Sequence, residues 1–178
     1  MFKRIFVSIE PPEKIKQELS LLRSEFPSLP AKWTDKEKIH LTLSFLGQVK
    51  EKSIPMILKK LKEILEKEAP FLLKITRLSY IPEKTTAKMI WALFEESTTI
   101  NNVNKEMVKK IGGSNDFLPH ITLARINSWN FRKLETDEVP DLNRDLNISF
   151  PVDSVSLMES KNIRGKSVYQ LIEKIKLR

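Results

Sequence analysis

Apolar and polar residues alternate along several short stretches of the chain, and this pattern predicts β-strands. Residues 4–10 (RIFVSIE) alternate in this way, and the prolines at positions 11 and 12 end the stretch. A polar turn over residues 82–87 separates two further predicted strands. The strands predicted on either side of this turn and towards the C-terminal end are residues 71–81, 88–96, 148–159 and 167–177.

Apolar residues that recur every three or four positions predict three amphipathic helices. Pro12 suits the first turn of the first helix, Ser53 is expected to cap the second, and Gly112 is expected to end the third. The predicted buried faces are Ile15, Leu19, Leu22 and Phe26; Ile57, Leu61, Ile64 and Leu65; and Ile100, Val103, Met107 and Ile111. The second half of the chain roughly repeats the order of elements in the first. We therefore expect one duplicated α+β domain, residues 1–178, with two facing lobes.

Composition is that of an ordinary globular protein. The chain has 178 residues, of which 40% are hydrophobic, and this is enough to bury a normal core. It contains no cysteine, which excludes disulfides and thiolate metal sites and favours a reducing compartment. No apolar stretch approaches the roughly 18 residues of a membrane span, and the N-terminal apolar run is too short for a signal peptide. We expect a soluble, cytoplasmic protein that does not act at a membrane.

The charge balance is basic. Thirty-one lysines and arginines against 23 acidic residues give a net charge of +8. This excess favours anionic partners such as nucleic acids. A solvated, lysine-rich surface is the alternative, because many lysines stand beside glutamates in the predicted helices.

Both histidines of the chain lie in stretches with the same pattern. Residues 38–47 read KIHLTLSFLG and residues 118–126 read LPHITLARI. Side chains two positions apart share one face of a strand, so His40 projects beside Thr42, and His120 projects beside Thr122. One such stretch alone is typical of an ordinary half-buried strand. Its repetition favours a function.

Two imidazoles beside two hydroxyl groups suit acid–base chemistry on a phosphate. Two histidines without cysteine leave a zinc ligand set short, and no serine and acid are marked as partners of a nucleophilic triad. An imidazole has an ordinary pKa near about 6.5, so one ring can act as a base and the other as an acid. Hydroxyl groups can bond the phosphate oxygens. We therefore expect phosphodiester chemistry with no metal and no other cofactor.

Two further candidate residues follow the histidine motifs. Strict alternation places Arg125 on the same side as the core residues Ile121 and Leu123, where an arginine is unexpected. Either its guanidinium reaches water past the core, or the strand bends after Leu123 and brings Arg125 to the site as a phosphate ligand. Phe45 holds the corresponding position in the first stretch. It is a candidate for stacking on a nucleobase, with core packing as the alternative.

These motifs resemble the two His-x-Thr signatures of the 2H phosphoesterase superfamily. The resemblance is strongest to the bacterial and archaeal RNA 2′,3′-cyclic phosphodiesterases, historically called 2′-5′ RNA ligases. It rests on HLTLSFLG, PHITLAR, the start RIFVSIEPPEKIKQEL and the tail LMESKNIRGKSVYQLIEKIKL. It therefore covers nearly the whole chain. It implies a bilobal duplicated α+β fold in which two antiparallel sheets line a central cleft, with helices outside.

The resemblance also implies roles for the candidate residues. His40 and His120 correspond to the catalytic pair, Thr42 and Thr122 to phosphate-oxygen donors, and Arg125 to a further phosphate contact. Phe45 corresponds to a base contact. The implied reaction opens a 2′,3′-cyclic phosphate at an RNA end, tRNA fragments included, to a 2′-phosphate. We assign His120 as the base and His40 as the acid, although the symmetry of the motifs leaves the two roles exchangeable.

Some features leave alternatives open. Where the family often has a basic residue before the second motif, within the stretch GGSNDF, this chain has Asp116, so RNA contacts there are expected to differ. Trp33 is a candidate for the cleft rim or for the core, and Lys32, Lys36 and Lys38 are candidates for guiding RNA. The same fold could support 2′-5′ RNA ligation or cleavage of 2′-5′ linkages. A non-catalytic module that binds RNA ends is a third possibility. We expect a monomer.

Overall fold

The structure is a computed structural model that describes residues 1–113, 116–142 and 145–178. Ser114 and Asn115, in the stretch before the second histidine motif, lie outside the described residues. So do Asn143 and Arg144, which precede the predicted strand at residues 148–159.

The strands of the described residues form one nine-stranded sheet with the order β7-β4-β5-β6-β3-β1-β8-β9, and β2 pairs with β6. The α+β class is confirmed, and the two expected sheets are halves of this single sheet. They meet at the antiparallel pairing of β3 with β6 through Leu41 and Ile121. The strands are β1 Phe2–Ile9, β2 Ala31–Trp33, β3 Leu41–Lys50, β4 Phe71–Ile81, β5 Met89–Phe94, β6 His120–Ile126, β7 Asp145–Val152, β8 Ser154–Ile163 and β9 Lys166–Lys176.

The three predicted amphipathic helices are present. In the described residues the α-helices are α1 Glu13–Leu21, α2 Ile54–Leu65, α3 Thr98–Lys110 and the short α4 Ser128–Phe131. The first α-helix is shorter than predicted, because Leu22–Glu25 form a 3-10 turn after it and Phe26 is not helical, with φ −127° and ψ 56°. The prediction that Ser53 caps α2 is wrong, because its side chain makes no capping bond there. None of these helices has the length and apolar character needed to cross a membrane.

The hydrophobic core lies on one face of the sheet. Leu41, Leu43 and Ile121 are buried there and belong to the same apolar cluster as Leu61 of α2 and Met107 of α3. The helices therefore cover this face. The opposite face of β3 and β6 carries the histidines and threonines of both motifs, which are half-buried.

Candidate active site

The pairing of one residue in β3 with one in β6 determines which side chains face each other at the site. Leu41 pairs with Ile121, and both side chains are fully buried on the core face. Because the strands are antiparallel, this register places His40 opposite Thr122 and Thr42 opposite His120 on the other face. The four side chains of the two motifs therefore surround one point at the junction of the two half-sheets.

A β-bulge at Leu43 redirects the end of the first motif. Thr42 pairs with Ser8 of β1, whereas Ser44 pairs with Val7, so Leu43 is the extra residue of β3. Its carbonyl accepts a hydrogen bond from the Asn104 side-chain nitrogen at 2.7 Å, inside the core.

The bulge changes the alternation of the strand, so that the side chain of Phe45 lies on the same face as that of Thr42. The Phe45 side chain is 58% exposed there, and its ring lies 6.1 Å from that of Phe6. The structure therefore leaves this ring available to a ligand instead of packing it in the core.

A matching bulge at Leu123 redirects the second motif. Thr122 pairs with Trp91 of β5 and Ala124 pairs with Ile90, which leaves Leu123 as the extra residue. Thr34, just after β2, holds this bulge: its amide donates to the Leu123 carbonyl and its hydroxyl to the Thr122 carbonyl, each at 2.8 Å.

Strand β6 therefore bends after Leu123. This confirms the second of the two expectations for Arg125, in which a bend brings the residue to the site. Ala124 is buried and Arg125 is exposed on the side of the histidine motifs. Its guanidinium contacts the Met89 sulfur at 3.7 Å.

His40 is held by contacts on both ring nitrogens and on its ring face. Its Nδ1–H donates to the Lys38 carbonyl at 2.7 Å, so in the neutral ring the bare nitrogen is Nε2. The Thr42 hydroxyl lies 3.0 Å from this Nε2 atom. The rings of Phe6 and Tyr169 lie 5.2 Å and 5.3 Å from the imidazole, centroid to centroid. The ring is therefore fixed in orientation and in tautomer.

His120 is held in the same way on its own lobe. Its Nδ1–H donates to the Leu118 carbonyl at 2.7 Å, which again leaves Nε2 as the bare nitrogen of the neutral ring. Trp91 stacks on the imidazole with a centroid separation of 3.6 Å and an interplanar angle of 15°. Both histidines thus use the carbonyl two residues earlier in the chain to orient Nε2 away from the backbone.

Burial lowers the pKa of both imidazoles. Desolvation is the largest cause at His40, where the charges on Lys16 and His120 also lower the pKa, while the Lys38 carbonyl and the Glu10 carboxylate raise it. Desolvation likewise lowers the pKa of His120, and only the Leu118 carbonyl opposes it. The two rings are close enough for the charge of one to affect the other.

A cavity of about 240 Å³ opens beside His40. It brings together three residues of the two motifs: His40, Phe45 and Arg125. His120, Thr42 and Thr122 lie next to it in the sheet without lining it. The remaining lining residues are Arg4, Ile5, Phe6, Ser160, Ser167 and Tyr169.

Sequence reasoning missed the residues that distant strands bring to the site. Trp91 and Tyr169 come from β5 and β9, and no motif marks them. Alternation along β5 carried a signal for Trp91, because its neighbours Ile90 and Ala92 are buried on the core face. Ser8 Oγ and Trp91 Nε1 are buried and have no hydrogen-bond partner among the described residues. They flank Thr42 and Thr122, respectively, in the pairing of the strands.

Other candidates do not join the site. Trp33 stacks on Phe26 at 6.3 Å and packs against the core. Lys36 and Lys38 form ion pairs with Glu13 and Asp35. Lys32 pairs with Arg125 across β2 and β6, and Asp116 is exposed. The described part of the chain contains no group of three or more His, Asp and Glu side chains arranged to hold a metal ion.

The fold agrees with the resemblance of the two His-x-Thr motifs to the 2H phosphoesterases. Residues 9–91 match the family described as LigT-like phosphoesterase.

Relatives and solved structures are similar to this chain over most of its length. The RNA 2′,3′-cyclic phosphodiesterase of Aquifex aeolicus is 28% identical over 176 residues, which cover 93% of this chain and 88% of that protein. The protein of the same name from Methanocaldococcus jannaschii is 25% identical over 96% of this chain and 98% of its own length. The crystal structure of TT0787 of Thermus thermophilus superposes with a TM-score of 0.80 at 25% identity, covering 98% of both chains.

Proposed function

We propose that this protein is an RNA 2′,3′-cyclic phosphodiesterase that hydrolyses cyclic phosphate ends to 2′-phosphates. One observation carries the proposal: His40 and His120, fixed in the same tautomer by equivalent carbonyls, flank a single residue pair with Thr42 and Thr122 beside them. The two relatives from Aquifex aeolicus and Methanocaldococcus jannaschii, which align over most of the chain, carry the name of this activity.

The reaction adds one water molecule across one phosphorus–oxygen bond. His120 Nε2 accepts a proton from water, and the resulting hydroxide oxygen bonds to phosphorus. The bond from phosphorus to the 3′ oxygen breaks, and the protonated His40 donates its Nε2 proton to that oxygen. The product keeps a 2′-phosphate, and a proton exchange with solvent restores both rings.

One contact, that of the Glu10 carboxylate with His40, favours this assignment of the acid and the base. The Glu10 carboxylate raises the pKa of His40 and so favours its protonated form, against the larger effect of burial. No carboxylate has this effect at His120, whose pKa burial lowers. The charges on Lys16 and His120 act against this effect at His40, so the choice of His40 as the acid and His120 as the base rests on the Glu10 contact.

The other site residues bind the substrate. The hydroxyls of Thr42 and Thr122 donate to phosphate oxygens, and the exposed guanidinium of Arg125 binds the same phosphate group. Phe45 stacks on the terminal base. No metal takes part in this scheme, so full turnover is expected in the presence of EDTA. Residues 1–178 act as one bilobal unit, because the sheet and the core continue across both halves. A cytoplasmic location and a monomeric state stay predictions.

The direct test uses a short RNA with a 2′,3′-cyclic phosphate end. We expect product that is one water heavier and sensitive to phosphatase, with the phosphate on the 2′ oxygen. His40→Ala and His120→Ala should each lower kcat by about 10²–10⁴-fold, the range for a lost acid or base. Lys59→Ala, on the exposed side of α2, serves as the control.

Three other outcomes would contradict the proposal. Joining of two RNA pieces into a longer product would indicate the ligase activity. Salt-sensitive binding with an unchanged cyclic end would indicate a binding module. Strong turnover by either histidine variant would exclude the two-imidazole mechanism.

A further inference from the structure

The cavity beside His40 extends to a second group of hydrogen-bond donors that the reaction does not use. Ile5 of β1 pairs with Glu159 of β8, which places Arg4 opposite Ser160. Ser160 in turn pairs with Tyr169 of β9. Arg4, Ser160 and Tyr169 thus form a row across three strands, and Ser167 joins them in lining the cavity. We refer to these four residues as the Arg4 pocket.

The chemistry of the Arg4 pocket suits an anion. A guanidinium and three hydroxyls can all donate hydrogen bonds, and none of the described residues that line the cavity has a carboxylate or side-chain amide. Within the described residues Arg4 forms no ion pair. The preceding residue, Lys3, by contrast, contacts the carboxylates of Glu51 at 3.1 Å and Glu159 at 3.5 Å. The positive charge of Arg4 is therefore available to a ligand.

The position of the pocket identifies this anion. Tyr169 lies between the Arg4 pocket and the histidine site. Its ring packs edge-on against His40 and lines the cavity together with Arg4. A group bound at Arg4 therefore lies beside a nucleotide whose cyclic phosphate is at His40. In an RNA chain, the anion one ribose away from the terminal cyclic phosphate is the phosphodiester on the 5′ side of the same nucleotide.

We propose that the Arg4 pocket binds this 5′ phosphodiester, so that the protein selects RNA chain ends over cyclic mononucleotides. The inference rests on the proposed function and specifies its substrate class. Arg4 supplies a charge-assisted contact to the phosphate, and the hydroxyls of Ser160 and Ser167 supply further donors.

A binding experiment tests the pocket without turnover. Calorimetry compares adenosine 2′-monophosphate with adenosine 2′,5′-bisphosphate, which differ only in the 5′-phosphate. The wild-type protein should bind the bisphosphate about tenfold more tightly, as expected for one hydrogen-bonded charge. Arg4→Gln should reduce this affinity ratio to near one, and Ser167→Ala should reduce it in part. Arg23→Gln removes an equal charge from an exposed site after α1 and should keep the ratio.

A turnover experiment separates this inference from the proposed function. The substrates are nucleoside 2′,3′-cyclic phosphates with and without a 5′-phosphate, for all four bases. The wild-type preference for the 5′-phosphorylated forms should disappear in Arg4→Gln. Equal use of both forms by the wild type would overturn the inference. So would a loss of turnover in Arg4→Gln that is confined to guanine nucleotides, because it would indicate that Arg4 contacts the base. If no cyclic phosphate is hydrolysed but the affinity ratio behaves as expected, the proposed function fails and the anion pocket stands.

Discussion

At the scale of single residues, the proposed chemistry of the two imidazoles depends on contacts of the nitrogen that does not react. Each Nδ1–H is bound to a carbonyl two positions earlier in the chain, which leaves Nε2 to exchange protons. Burial lowers the pKa of both rings and so favours the neutral form. A bound phosphate has the opposite effect, because its negative charge favours a protonated ring.

These opposing effects predict different pH profiles for the free protein and for its substrate complex. The acid must be protonated and the base neutral, and both pKa values of the free protein lie below the ordinary value of about 6.5. The profile of kcat/KM should therefore be bell-shaped with its optimum on the acidic side of that value. The profile of kcat should reach its optimum at higher pH. Steady-state kinetics across pH provides the measurement, and a kcat/KM optimum above neutrality would contradict the effect of burial.

Trp91 is one of the side chains that bury His120. Its ring stacks on the imidazole at 3.6 Å and shields it from water. Trp91→Leu removes this aromatic shield, so the pKa of His120 should rise towards its ordinary value, as measured by NMR titration of the ring protons. Trp91→Phe keeps an aromatic ring and loses only the indole N–H, so it should shift the pKa less. Equal shifts in both variants would indicate that the indole N–H, not the stacked ring, controls the titration.

At the scale of elements, a β-bulge in each motif strand determines which residues reach the site. The extra residues Leu43 and Leu123 change the alternation of β3 and β6, and Phe45 and Arg125 therefore share a face with the histidines. A bulge leaves a backbone carbonyl out of the regular ladder, and such a group must find another partner. Asn104 of α3 supplies it for Leu43, and the Thr34 amide supplies it for Leu123.

Asn104→Ala tests whether the hydrogen bond from Asn104 to the Leu43 carbonyl stabilises the bulge. The variant leaves the buried Leu43 carbonyl without its 2.7 Å partner, so the free energy of unfolding should fall by about 1–3 kcal/mol. Because Thr42 and Phe45 flank the bulge, kcat should fall as well. Urea unfolding and turnover of a cyclic-phosphate RNA provide the two measurements. Asn102→Ala, on the exposed side of the same helix, should change neither, and equal effects at both positions would contradict the role of Asn104.

Alternation and helical periodicity are local signals. They were sufficient to predict most of the strands, the three longer helices and the shared face of His40 and Thr42. Arg125 was recognisable as an exception to alternation because a charged residue occupied an expected core position. Tyr169 and Ser160 gave no such signal, because hairpin pairing of β8 and β9 brings them to the cavity. The register between distant strands follows from tertiary packing. For the same reason, the sequence did not indicate that the two half-sheets join at Leu41 and Ile121.

At the scale of the whole molecule, the duplication produces a site that neither half could form alone. Each half contributes one histidine, one threonine and one bulged strand, and the two halves meet at a single residue pair. The core continues beneath that pair, so the positions of the two rings depend on the integrity of the whole sheet. Folding and proton binding at the site should therefore be linked.

This linkage predicts that the molecule loses stability as the pH falls through the range of the histidines. The pKa values of His40 and His120 are lowered on folding, so below about pH 6.5 the unfolded chain binds more protons than the folded protein. The free energy of unfolding should therefore decrease as the pH falls below that value and change little just above it. The chain has only these two histidines, so a double His→Asn variant should lose this dependence. Urea unfolding of both proteins between about pH 5 and 7.5 measures the effect, and an unchanged dependence in the variant would assign it to other groups.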